Sequence, residues 1–417
     1  MAYASIGDSP GQKPPDVRSA SEPLAMIRSK TQTAVVCSGT ADSAAAGREL
    51  GKLLRTEFAG ESVDALILFC SPRHAAREVL HALQESCAPK LIVGCSTAGE
   101  FTGETLAEGQ VCAIAIRSSE VAFTAGIGRG LSTNRHAAAR EMVANFRGAG
   151  EMARGYCTVL VLTDALAGHA DELVEELTFL TGGHHQFFGG GAGDGANFRK
   201  TEVYLNQEVA SDAGVALEMI SEKPIGVGVQ HGWYPSSKPL RVTEARGKNL
   251  VSLNAVPAAE FMEIHAKATG QTFDRADPLS FFLHNIFGIV TGDSFKLRVP
   301  LAVLEDGTIV CAAEIPEGAS VRIMATDAAS TREAAAKASR AALTQLNGNP
   351  PTAALFFDCV ATRLRMGREF GGELAAIREV LGPIPLTGCN TYGQVARTEG
   401  QFTGFHNCTA VVCVLPA

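Results

Sequence analysis

The chain has no Cys-x-x-Cys pair among its 11 cysteines and no His-x-x-x-His pair among its 10 histidines. Neither a zinc ribbon nor a helical metal-binding histidine pair is therefore written into it. It has no apolar run near the roughly 18 residues that a spanning helix needs, and its first residues lack the apolar core of a signal peptide. No block of Lys and Arg is long enough to neutralise a run of phosphates, and the net charge is −8. These absences argue against a membrane span, a nucleic-acid partner and a secreted disulfide framework. The expected location is the cytoplasm, with the cysteines reduced and mostly buried as small hydrophobes. What is present is globular: 46% hydrophobic and 19% charged residues over 417 positions suffice for two or three domains.

Residues 1–30 carry Pro, Ser and Gly without apolar periodicity and read as a disordered tail. From there short apolar runs alternate with amphipathic stretches. "QTAVVCSG", "VDALILFC", "KLIVGCS" and "QVCAIAI" read as strands, and "ADSAAAGRELGKLLRTEF" sets Ala46, Leu50, Leu53, Leu54 and Phe58 on one helical face. Ser71 and Pro72 read as N-cap and first turn of a second helix over "RHAAREVLHALQES". The last hundred residues repeat this order, down to "CSPR" from Cys70 in one half and "CVATR" from Cys359 in the other. A looser third copy runs from "CTVLVLTDAL" through "HADELVEELTFL" to "HQFFGGGAGDGANF", where Gly193-Asp194 aligns with Gly99-Glu100 and Gly393-Gln394. Between about 199 and 327 the strands become closely spaced, with an Asp-Gly hairpin in "VLEDGTIV" and one helix over "PAAEFMEIHAKATG". The expected fold class is α/β, with repeated βαβαβ units, mostly parallel or mixed sheets, and a strand-rich middle section.

Each copy ends in a Gly-rich loop behind a strand, the place where open α/β sheets bind ligands. In the first copy the candidate ligand-binding residues are Gly94, Cys95, Ser96, Thr97, Gly99 and Glu100. In the last they are Gly388, Cys389, Asn390, Thr391, Tyr392 and Gly393, and in the looser copy Gly190, Gly193 and Asp194. Glycines let the backbone approach a ligand, exposed N–H groups hold an anion, and the hydroxyl and amide side chains add hydrogen bonds. The plain alternative is that the glycines only shape turns. Arg363, with Glu100 and Asp194, could meet the carboxylate and ammonium groups of a metabolite. "GGGAGDGA" fails as a dinucleotide fingerprint because a strand, not a helix, follows it, and "GCSTA" fails as a nucleophile elbow because position 98 is alanine. A cysteine-dependent enzyme using Cys95 or Cys389 is a reading from another class, set against a structural role for both thiols; no catalytic residue is assigned.

The segments "VGCSTAGEFTGETLAEGQVCAIAI", "FFGGGAGDGANFRKTEVY", "FFDCVATR" and "TGCNTYGQVARTEGQFTGFHN" together resemble the FIST family, a sensory domain of signalling proteins, over nearly the whole chain beyond the tail. The resemblance implies a FIST N-terminal sensory domain over 31–238 and a FIST C-terminal domain over 239–417. It implies small-ligand sensing rather than catalysis, with occupancy reported to a separate signalling protein such as a histidine kinase. The NosP-type haem proteins make haem b and nitric oxide the specific candidate, with His184 and His185 as candidate axial ligands. An amino acid or another metabolite is the alternative. The family's last loop more often reads Tyr-Gly-Glu, so Gln394 is a departure that weakens any role there requiring charge.

Overall fold

The computed structural model describes residues 30–148, 155–398 and 403–417. The tail expected over 1–30 lies outside these residues except for Lys30. Strand Ala65–Cys70, apolar in sequence, is buried at every position, which demands cover on both faces. It pairs in parallel with Ile92–Ser96 and antiparallel with Val111–Ser118, which in turn pairs with Thr31–Ser38. Helices Ser43–Glu57 and Ala76–Cys87 pack on the outer face of this sheet through Ala46, Leu50, Leu54, Val79 and Leu80. Leu53 instead points outward and is exposed. The second helix does not start at Ser71-Pro72. It begins at Ala76, and the Ser43 hydroxyl of the first helix accepts from the Ala75 N–H at 3.0 Å, supplying from a distance the capping oxygen that Ala75 lacks.

The same lobe is built three times. In the second, Tyr156–Thr163 and Gln186–Gly191 are the parallel pair, Ala213–Ser221 the antiparallel neighbour and Val121–Arg129 the outer strand. In the third these places fall to Pro351–Cys359, Leu386–Thr391, Ala410–Pro416 and Gly226–Gln230. The sheets are thus mixed, with one parallel pair at the centre of each, because each antiparallel neighbour follows a hairpin rather than a helical crossover. The looser sequence copy is a full structural equal of the other two.

Past each Gly-rich loop the chain leaves its own sheet and adds a strand to another. Glu100–Thr102 pairs with Leu386–Thr391, Gln394–Arg397 with Gln186–Gly191, and Val203–Leu205 with Ile92–Ser96. The first lobe thereby donates to the third, the third to the second and the second to the first. The three inner sheet faces share one core: Ile67, Phe69 and Cys95 meet Leu160, Leu162 and Phe188, and both meet Leu355, Phe357 and Cys389. A nine-stranded antiparallel sheet is inserted in the third lobe between Gly226–Gln230 and helix Ala328–Gln345, and carries helix Ala258–Thr269. The Asp306-Gly307 turn joins Pro300–Val303 to Ile309–Cys311 as expected. A division at 238/239 leaves three strands of the third sheet, Gly226–Gln230, Glu100–Thr102 and Leu106–Ala107, on its N-terminal side.

Cys37 and Cys112 stand directly opposite on neighbouring strands and form a disulfide, whereas the other nine cysteines are free. The expectation of reduced cysteines therefore fails at this pair, whose proximity comes from strand register and leaves no trace in sequence spacing.

Candidate functional site

The three Gly-rich loops meet at the carboxyl ends of the three parallel pairs and hydrogen-bond to one another through backbone. Gly193 N–H donates to the Ser96 carbonyl, Ala98 N–H to that of Asn390, and Gly191 N–H to that of Gly393, each at 2.9 Å. Side chains would keep these backbones apart: a Cβ on Gly193 would stand 2.6 Å from the Ala98 nitrogen, and one on Gly190 2.8 Å from the Gly393 carbonyl oxygen. Gly94 and Gly388 lie within their strands against the carbonyls of Leu68 and Phe356, so they serve close strand packing rather than a ligand.

Strand pairing gives a different alignment of the acidic positions. Glu100 lies opposite Cys389, Gln394 opposite Gly190 and Val203 opposite Cys95, so Val203 is the counterpart of Glu100 and Gln394. Asp194 belongs to a longer loop found only in the second copy. Its carboxylate accepts from the N–H groups of Asn197, Phe198, Arg199 and Lys200 at 2.7 to 3.1 Å and from the Tyr392 hydroxyl. Burial works to raise its pKa, but these donors outweigh it and hold the carboxyl below its usual range. The Tyr392 ring stacks on Phe198 at 4.3 Å. Asp194 and Tyr392 thus clamp the second loop to the third, which leaves the carboxylate little capacity for a ligand.

Thr97, Gly99, Glu100 and Arg363 do come together. They line a polar cavity of about 280 Å³, joined by Ser71, Arg73 and Glu108. Arg363 reaches in from the third lobe, donating to the Ala98 carbonyl at 2.9 Å and to Glu108 Oε1 at 2.6 Å. Glu108 Oε2 lies 4.0 Å from Arg73, so one carboxylate stands between two guanidinium groups. Gly99, at φ +139°, must lack a side chain because a Cβ there would overlap the Arg363 guanidinium. Glu100 is buried at the back of the cavity, taking hydrogen bonds from the Thr97 hydroxyl and the Gln110 N–H. Burial dominates and raises its carboxyl pKa, against the lowering effect of these donors and Arg363. Arg73 and Glu108 were not singled out in sequence, although the parallel between "CSPR" and "CVATR" had already matched Arg73 with Arg363.

Other expected residues fall elsewhere. Cys95 and Cys389 face each other in the shared core, fully buried, and burial raises the Cys389 thiol well above its ordinary value. That environment suits packing, not nucleophilic attack. Ser96 holds the Glu202 N–H at 2.9 Å, and Thr391 donates to the Asp358 carbonyl at 3.1 Å. Asn390 is buried beside its cross-strand neighbour Asp358, which contacts Glu373. Burial pushes the Asp358 carboxyl up to about 7 and Glu373 well above its ordinary value. Sequence patterning did not mark this acid pair, whose two members meet only through the fold.

The histidine pair does not fit an axial haem role. His185 is fully buried, with Nε2 at 2.8 Å from Glu218 Oε1 and its ring between Phe146 and Phe187 at 5.8 and 6.5 Å. The Glu218 carboxylate takes one ring nitrogen, and the other, Nδ1, has no hydrogen-bond partner but is enclosed in the packing, while the neighbouring cleft is lined by His184 and Gln186 rather than by His185. His184 is exposed at a cleft lined by Gln186, Gln345 and Asn347, not at an apolar slot. A largely apolar cavity does lie elsewhere, lined by Leu166, Phe198, Val299, Leu301, Cys359 and Phe405, but at about 130 Å³ it is smaller than the roughly 300–1,000 Å³ of drug-sized ligand sites.

Among the described residues, no group of three or more His, Cys, Asp and Glu side chains is arranged to hold a metal ion, and no helix is long and apolar enough to cross a membrane. A family model for the FIST N domain matches residues 64–256, and one for the FIST C domain matches residues 258–397. An uncharacterized protein of Mycobacterium tuberculosis, in strain CDC 1551 / Oshkosh and again in strain ATCC 25618 / H37Rv, is 25% identical over 385 residues, covering 88% of this chain and 94% of the relative. Among solved structures, a cyanuric acid hydrolase from A. caulinodans aligns with 92% of this chain and 99% of its own at 8% identity and a TM-score of 0.35.

Proposed function

We propose, from the premise that this chain belongs to the FIST family of small-ligand sensory domains, that it senses an amino-acid-like metabolite in the polar cavity between its first and third lobes. The observation that carries this reading is the Glu108 carboxylate held between Arg363 and Arg73. Two guanidinium groups facing one exposed carboxylate form a site that a ligand carboxylate enters by substitution. The ligand's ammonium group then meets Glu100 at the buried end, supplying the counter-charge that keeps that carboxyl ionised.

Substitution gives the site a readout. Glu108 follows the short strand Leu106–Ala107, which pairs with the strand that the first lobe donates to the third, so its release changes the surface at the end of that hairpin while Arg363 stays on the ligand. A ligand that favours the released arrangement shifts the population toward it, and a signalling partner reads that surface. A histidine kinase is one such partner. Haem with nitric oxide is not the reading favoured by these residues, given the surroundings of His184 and His185.

A thermal-shift screen of amino acids and related metabolites tests the proposal. A true ligand raises the melting temperature in step with its concentration, and Arg363→Met abolishes the rise. No response across the panel, or an equal response in Arg363→Met, overturns it. Mixing the purified chain with haemin gives no Soret band on this reading, and a stoichiometric band would return the haem alternative.

A further inference from the structure

The apolar cavity lies among the second lobe, the third lobe and the inserted sheet, and metabolite sensing at the polar cavity makes no use of it. Its volume of about 130 Å³ is close to the roughly 150 Å³ of an apolar cavity that takes up a benzene ring. Phe198, Tyr392 and Phe405 bring aromatic surface to its wall, and Cys311 and Cys359 bring polarizable sulfur, both suited to packing against a ring. It reaches the surface at Leu166 and Phe198, which are 39% and 44% exposed. Lys248, exposed, and Glu314, half-buried, also line it with opposite signs, so the entrance favours neither an anion nor a cation.

One polar group in the wall is poorly served by the protein. Asn407, on the turn before the last strand, is almost fully buried. Its side-chain oxygen accepts from the Val299 N–H and its side-chain nitrogen donates to the His406 carbonyl, each at 3.4 Å, longer than the usual 2.7–3.2 Å. An amide has two N–H donors and an oxygen with two lone pairs, so capacity remains on both atoms. The rim carries a second oddity. Among the described residues, His169 and Phe198 are the two ring-bearing side chains on a left-handed backbone, at φ +55° and +53°, and both line this cavity. For a bulky residue such as Phe198 that conformation is an outlier, held by the Asp194 carboxylate on its N–H and by its stack on Tyr392.

We propose that this cavity is a second ligand site, which takes a small neutral aromatic compound carrying one hydroxyl group, a phenol. The ring fills the apolar space, and the hydroxyl both accepts from and donates to the Asn407 amide. The wall between the two cavities is thin: Ala98, Val360 and Tyr392 form one small buried cluster, with Ala98 lining the polar cavity and the other two the apolar one. Helix Val360–Met366 likewise sets Val360 and Ala361 against the apolar cavity and Arg363 in the polar one. A phenol therefore bears on the helix that carries Arg363, and each ligand changes the affinity of the other by the same factor. That coupling rests on the metabolite reading, whereas the binding of the phenol does not.

Isothermal titration of the full chain with phenol, toluene and benzoate tests the site. Phenol binds saturably with one site per chain, about tenfold tighter than toluene, and benzoate binds more weakly than phenol. A merely apolar void gives the reverse order for the first two, because the hydroxyl loses its water without a partner. Ala361→Leu occupies the space and weakens phenol at least about tenfold. Leu166→Arg, at the exposed rim where the fold is not at risk, weakens it severalfold with an unchanged melting temperature. Arg363→Met keeps phenol binding, so a chain that binds phenol and ignores every metabolite refutes the metabolite reading alone. Absence of saturable phenol binding, toluene binding as tightly as phenol, or an affinity unaltered in both Ala361→Leu and Leu166→Arg would overturn the assignment.

Discussion

Replacing Asp194 with asparagine probes the junction of the loops. Oδ1 accepts from Asn197, Phe198 and Tyr392, whereas Oδ2 accepts from Arg199 at 2.7 Å and Lys200 at 2.9 Å. An amide that keeps its oxygen at the first position turns an NH₂ donor toward two N–H donors at the second. Hydrogen bonds to a charged acceptor contribute roughly 1.5–3 kcal/mol each. Residues 197 to 200 are all exposed, and water recovers part of the loss, so the expected destabilisation is about 2–4 kcal/mol. Tyr392→Phe removes one donor and should cost about 1 kcal/mol. The pH dependence has a definite sign. The folded carboxyl is held below its unfolded value, so its contribution is complete above the unfolded pKa and is lost as pH falls through the folded one. Urea melts of wild type and Asp194→Asn at pH 7 and pH 3 measure both effects. The gap should be wide at pH 7 and narrower in acid. A pH 7 difference below about 0.5 kcal/mol, or a gap that widens in acid, would refute the clamp.

The buried acid pair predicts the opposite pH trend. Burial places the folded Asp358 carboxyl at about 7, above its unfolded value, so the wild type loses stability as pH rises from about 4 to 7. Asp358→Asn should therefore gain on the wild type over that interval, by about 1–3 kcal/mol. Melting temperatures at pH 5 and pH 8 check this, and a gap that does not grow with pH counts against it. Gly99→Ala drives a methyl group into the Arg363 guanidinium in a backbone region that suits glycine. It should cost about 1–3 kcal/mol and abolish the metabolite-induced thermal shift, whereas retained binding would place the ligand elsewhere.

Much of the fold is legible in the sequence, for a local reason. Apolar runs and helical faces mark strands and helices, and the repetition of Gly-Cys-polar-Thr marks equivalent ends of parallel pairs. Pairing between distant strands leaves no such mark. The run "NFRKTEVYLN" reads as a strand, but nothing in it says that Val203 adds to the first lobe at Cys95. Matching copies by their Gly-acid endings consequently equated Asp194 with Glu100, whereas register equates Val203. The cap on helix Ala76–Cys87 was misplaced for the same reason, because its oxygen comes from Ser43. At the polar cavity, Glu100 and Arg363 were visible as charges beside repeated motifs, while Glu108 became part of the site only through its contact with Arg363.

The ring of donated strands sets a constraint on how the chain reaches its native state. Thr387 and Phe101, bonded across one of these junctions, are 286 residues apart in sequence. A ribosome making the protein exposes the first lobe's outgoing strand long before its partner exists. The first lobe can complete its own sheet once Val203–Leu205 emerges, but the ring cannot close until Leu386–Thr391 is made. Closure of such distant contacts favours slow, late-committing folding, with an unsatisfied strand edge in the interval. Fragments ending before residue 386 should therefore tend to associate through that edge, and circular permutants that keep all three exchanges should recover a single cooperative unit.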